Sequence, residues 1–171
     1  MKTKKLIICA LFTAIMCIVA PFYIMIGSVP VTFALFALAL CAFSVGSTAS
    51  AVSTVVYIFI GLSGFPVFSG FKGGFSALLS PTGGFIFSYI FIVLISGLSV
   101  KAKRKSTVVL LCVMALLVCY ASGTVWYMFV TKAALRTALF VCVIPFIPFD
   151  AVKLYGAWII SKAIRRSVNN E

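Results

Sequence analysis

The chain contains no histidine and only two acidic residues, Asp150 and Glu171, among 171 positions. Without an acid pair, an imidazole or a Gly-Lys-Ser/Thr phosphate loop, the usual means of acid–base, metal-assisted or phosphoryl-transfer chemistry are missing. We assign no catalytic residue, no metal site and no cofactor. The six cysteines (9, 17, 41, 112, 119 and 142) form no C-x-x-C pair and fall in or beside apolar stretches, so they read as small buried hydrophobes. Charged residues make up only 9% of the chain and hydrophobic ones 64%, which excludes an ordinary soluble domain and predicts an integral membrane protein. The formal net charge of +12 does not indicate nucleic acid, because the basic residues cluster between apolar runs as topological anchors do.

Crossing hydrocarbon takes about 20 apolar residues in a helix. Candidate spans are 6–26, 31–46, 49–62, 84–100, 107–130 and 149–166. The basic start Met1-Lys2-Thr3-Lys4-Lys5 imitates a signal peptide, but the apolar run behind it continues to Ile26 and reads as a first transmembrane helix. Residues 31–62 are uncharged throughout and fit either one long helix or two short ones around Gly46-Ser47-Thr48-Ala49-Ser50. Two helices put the N-terminus, the 101–105 loop and the C-terminus on one side. Ten of the fourteen basic residues (Lys2, Lys4, Lys5, Lys101, Lys103, Arg104, Lys105, Lys162, Arg165 and Arg166) then lie in the cytoplasm, as the positive-inside rule requires. The reading is an all-α integral membrane protein of six transmembrane helices, forming a single domain over 1–171, with both termini cytoplasmic.

Three irregular segments then share the outer face: the turn 27–32, the 61–84 loop and 131–148. The loop holds seven glycines, two prolines and four phenylalanines. Such backbone is tolerated at membrane depth only when packed in protein or lining a cavity. On the same side the sixth span opens with Asp150 and Lys153, which share a helical face. A carboxylate in an apolar segment usually has a partner and a function, so the pair reads as the polar half of a binding pocket. Read purely structurally, the same two residues are an ion pair that fixes a helix. Trp126 and Tyr127 read as interface anchors.

Leu62-Ser63-Gly64-Phe65-Pro66-Val67-Phe68-Ser69-Gly70, Gly73-Gly74-Phe75 and Ser80-Pro81-Thr82-Gly83-Gly84-Phe85 resemble the signature loop of the BioY family, the biotin-binding S components of energy-coupling factor (ECF) vitamin transporters. Val29-Pro30-Val31-Thr32 and Pro145-Phe146-Ile147-Pro148-Phe149-Asp150-Ala151-Val152-Lys153 resemble it too, in the same order and at similar spacing. The chain departs from the family pattern at Ala34, where a glutamine is usual, at Val45-Gly46-Ser47 and at Phe149.

The resemblance implies six transmembrane helices in the plasma membrane of a prokaryote and biotin capture at the outer face. It also implies docking onto a transmembrane coupling subunit driven by two ATPases. The head of biotin carries two ureido N–H donors, a carbonyl acceptor and an apolar thiolane. Asp150 suits the N–H groups, and Lys153 the ureido oxygen. Phe68, Phe71 and Phe75 are candidate walls, and Thr32 and Tyr120 candidate polar contacts. Lys72 is either a partner for the ligand carboxylate or a solvated loop cation. Ala10 and Ala14 on the first helix, small residues four apart, are the expected surface for the coupling subunit. Other readings are an S component or solute carrier for a different vitamin-like ligand, or a structural membrane subunit.

Overall fold

The computed structural model describes residues 3–26 and 29–169. Lys2, the turn residues Gly27 and Ser28, and Glu171 lie outside them. The first helix, α1 (Thr3–Val19), stops well short of Ile26. Pro21 has no N–H to continue the helical ladder and restricts the residue before it. The chain continues instead as an antiparallel hairpin of β1 (Tyr23–Ile26) and β2 (Val29–Thr32), with Tyr23 opposite Thr32 and Ile26 opposite Val29. The predicted helices 6–26 and 31–46 thus each give up residues to a two-stranded ribbon.

The uncharged stretch that follows forms two helices, α2 (Ala34–Val45) and α3 (Ser47–Leu62). Gly46 alone separates them, and its φ of 80° is backbone that suits glycine. Nearly all of α2 is buried, including Ala37, Leu38, Ala39, Cys41, Ala42 and Phe43, at the centre of a bundle made with α1, α3, α5 and α8. α1 and α3 are joined by buried hydroxyls. Thr13 donates to the Ser53 carbonyl at 3.2 Å, and Ser53 donates back to the Cys9 carbonyl at 3.1 Å.

A short helix, α4 (Ser76–Leu79), interrupts the glycine-rich loop before α5 (Gly83–Gly97), which runs into a 3-10 turn over Leu98–Lys101. α6 (Lys105–Thr131) ends at Lys132 with φ 57°, and α7 (Leu135–Cys142) leads to α8 (Phe146–Asn169). Pro148 falls in the first turn of α8, where its missing N–H costs no helical bond. The stretches Gly83–Lys101, Lys105–Thr131 and Leu135–Arg166 are long and apolar enough to cross a membrane; the apolar helices in the first part of the chain are shorter. The chain is a mostly helical, multi-pass membrane protein.

Glycines set the closest approach of α5 to α6. A Cβ at Gly84 would lie 2.3 Å from the Trp126 Cβ, and one at Gly123 would lie 2.4 Å from the Phe85 ring. Trp126 also donates its indole N–H to the Ser80 carbonyl at 3.0 Å. It therefore ties the loop to α6.

Candidate functional site

α8 presents Asp150 and Lys153 one turn apart, and α6 brings Tyr120 to them. Lys153 Nζ donates to Asp150 Oδ1 at 3.1 Å, and Tyr120 Oη donates to Oδ2 at 2.9 Å. Asp150 is only 4% exposed, so this carboxylate is compensated by one cation and one hydroxyl rather than by water. Each oxygen still has acceptor capacity, since a carboxylate offers about four lone-pair sites.

These groups form one wall of a cavity of about 690 Å³, counting its open mouth. The hairpin supplies Pro30 and Thr32 from one face, while Val29 and Val31 on the other face are buried against Tyr120, Cys142 and Phe146. The glycine-rich loop supplies Phe68, Ser69 and Lys72. α5 adds Phe85, Ile86, Tyr89 and Ile92, and α8 adds Phe146. The rings of Phe85 and Phe146 stack with centroids 5.9 Å apart. The cavity thus has an acceptor, two cations, several hydroxyls and aromatic walls.

α3 holds the loop in place. Buried Tyr57 donates to the Val67 carbonyl at 3.0 Å and meets Phe68 edge-on at 5.7 Å. Gly61 leaves room for that ring, because a Cβ there would lie 2.2 Å from it. The Gly74 N–H donates to the Gly61 carbonyl at 2.7 Å, and the Gly70 N–H to the Pro21 carbonyl at 3.0 Å.

Of the residues singled out from sequence, Asp150, Lys153, Thr32, Phe68, Lys72 and Tyr120 meet at this cavity. Phe71 and Phe75 do not line it; they are 57% and 68% exposed. Gly70 and Phe71 both have positive φ, which reverses the chain and lays Phe71 against Phe22 at 5.5 Å, away from the cavity. Walls from Phe85, Tyr89 and Phe146 take the place expected for them. These three were missed, although Phe85, Tyr89 and Ile92 recur at helical spacing just after the Gly83-Gly84 pair, the signal that could have found them. Ala10 and Ala14 lie elsewhere, exposed on α1 beside Ile7, Leu11 and Ile18, and among the described residues none from α1 lines the cavity.

The family model described as "BioY family" matches residues 1–170. The chain belongs to the BioY family. Among its BioY relatives, the probable biotin transporter BioY of Pyrococcus horikoshii is 34% identical, the alignment covering 96% of this chain and 98% of that one. The biotin transporter BioY of Thermotoga maritima is 32% identical, with 95% and 96% covered. In fold, this BioY protein is similar to the crystal structure of an S-component for biotin from an ECF-type ABC transporter. That likeness has a TM-score of 0.84 at 23% identity and covers 98% of this chain and 92% of the other.

Proposed function

We propose that this protein is the biotin-binding S component of an ECF-type ABC transporter, capturing biotin at the outer face of a prokaryotic plasma membrane for ATP-driven uptake. The observation that carries the reading is the meeting of Asp150, Lys153 and Tyr120 from two helices in one aromatic cavity. A ureido ring needs two hydrogen-bond acceptor sites and one donor side by side. Asp150 supplies the acceptor sites, with its free lone pairs taking the N–H groups, and Lys153 donates to the ureido oxygen in charge-assisted bonds. Phe68, Phe85, Tyr89 and Phe146 enclose the apolar part of the ligand. Thr32 adds a polar contact from the hairpin.

In this reading α1, α2, α3, α5, α6 and α8 are six spans with both termini cytoplasmic, while α4, α7 and the hairpin belong to the outer half. α2 has only 12 residues, about 18 Å at 1.5 Å per residue, against a hydrocarbon core of about 30 Å. Its burial inside the bundle lets it be short, because neighbouring helices rather than lipid surround its ends.

Exposed Ala10 and Ala14 form the surface for the transmembrane coupling subunit, which two ATPases drive. Small residues let a partner backbone approach closely. The test is uptake of radiolabelled biotin by cells without a biotin transporter of their own, expressing this chain together with a coupling module. Uptake should depend on both. Ala14→Trp should abolish most uptake and co-purification while leaving biotin binding to the isolated chain within about twofold, since α1 takes no part in the cavity. Uptake retained in full by Ala14→Trp would remove this face from the docking model.

A further inference from the structure

One polar group in the cavity has no use inside the protein. Ser69 lines it, and the Ser69 hydroxyl is buried without a hydrogen-bond partner. Leaving a buried hydroxyl unpaired is unfavourable, and each such group in a native fold calls for an explanation. The residue sits in a tight turn that also presents Lys72. The Phe68 N–H donates to the Lys72 carbonyl at 2.9 Å, closing the turn, and the Gly70 N–H is fixed by Pro21. Phe71 adopts φ 56°, a conformation that a bulky side chain adopts rarely and that is costly to hold. A strained turn is thus pinned so that positions 69 and 72 face the same cavity.

Charge points the same way. Asp150 is the only acidic residue among those described, and it is already matched by Lys153 at 3.1 Å. Lys72 has no carboxylate within 4.0 Å among the described residues. Lys72 is exposed, so the cavity carries one cation in excess on its open side. A ligand with a single negative charge neutralises it.

We infer that Ser69 and Lys72 form the subsite for the ligand's carboxylate, the hydroxyl donating one hydrogen bond and the ammonium another. The inference rests on the biotin reading and extends it. Asp150 and Lys153 take the ureido head, and the 68–72 turn takes the acid end of the side chain. Ser69 then confers preference for the free acid over neutral derivatives.

Equilibrium binding of biotin and of its neutral primary amide to the purified full chain in detergent tests this directly. The wild type should prefer biotin by about tenfold or more, the scale of a hydrogen bond to a charged group. Lys72→Met and Ser69→Ala should each lose most of that preference by weakening biotin while leaving amide binding within about twofold. Asp150→Asn, at the other end, should weaken both ligands alike and keep the preference. Ser69→Ala should also melt at the same temperature as the wild type or higher without ligand, because an unpaired buried hydroxyl is removed. A preference that survives both turn variants would overturn the subsite, as would a lower melting temperature for ligand-free Ser69→Ala. Wild-type protein that binds neither compound would overturn the biotin reading itself, and the subsite with it.

Discussion

Asp150 persists in an apolar bundle because two donors from different elements meet its two oxygens. Lys153 is on its own helix and Tyr120 on α6. The second contact does more than satisfy a lone pair. It ties the carboxylate to α6 as well as to α8 and so restrains its plane. Tyr120→Phe removes that O–H and leaves ring volume unchanged. A buried acceptor deprived of its partner costs about 1–3 kcal/mol, so biotin affinity should fall by about fivefold to a hundredfold. Titration of the purified variant, with its melting temperature as a fold control, checks this. Unchanged affinity would mean that Asp150 needs no help from α6.

Sequence made this corner of the site legible, since a lone carboxylate three residues from a lysine stands out in an apolar segment. Lys72 stood out as the only charge in its loop. The aromatic walls were harder to read. In a chain with seventeen phenylalanines and helices apolar on every side, periodicity does not separate the cavity face from the lipid face. Phe71 and Phe75 looked equivalent to Phe68 on paper. Two consecutive positive-φ residues at 70 and 71, which no propensity announces for a phenylalanine, send Phe71 to the other side of the turn.

At the scale of elements, the hairpin was the main surprise. Pro21 marks the end of α1, yet the unbroken apolar run to Ile26 masked it, since hydropathy alone does not distinguish helix from strand. The consequence reaches the cavity, because the hairpin turns Pro30 and Thr32 toward it while Val29 and Val31 pack against α6, α7 and α8. The α5–α6 contact is the other element-level determinant of the site, for it sets where Phe85, Tyr89 and Tyr120 meet. Gly84→Ala puts a methyl group 2.3 Å from the Trp126 Cβ and 2.8 Å from the Ser122 carbonyl oxygen, and one of these is backbone that gives way reluctantly. Overfilling a packed contact costs about 1–3 kcal/mol. The variant should melt lower in detergent and bind biotin more weakly. A melting curve equal to that of the wild type would show that the two helices have slack.

At the scale of the whole molecule, the expected orientation rests on the span count taken together with the basic clusters. Among the described residues, Lys101, Lys103, Arg104 and Lys105 lie in or beside the α5–α6 connection, and Lys162, Arg165 and Arg166 on the last turns of α8. Charge asymmetry of this kind sets topology in membranes. The six-span reading therefore predicts that exposed Ser76, at the start of α4, faces the outside. A single cysteine placed there, in a background without the native cysteines, should react with an impermeant thiol reagent added to intact cells. Labelling that appears only after the membrane is breached would invert the topology.

The proposal that the Asp150 cavity holds biotin is tested most directly by calorimetric titration of biotin into the purified wild-type chain and into Asp150→Asn. The variant keeps the size of the side chain and removes the charge. Loss of a charge-assisted bond is worth about 1.5–3 kcal/mol, so saturable binding at one site in the wild type should weaken by about tenfold to more than a hundredfold. A well-folded Asp150→Asn protein that binds biotin as tightly as the wild type would contradict it.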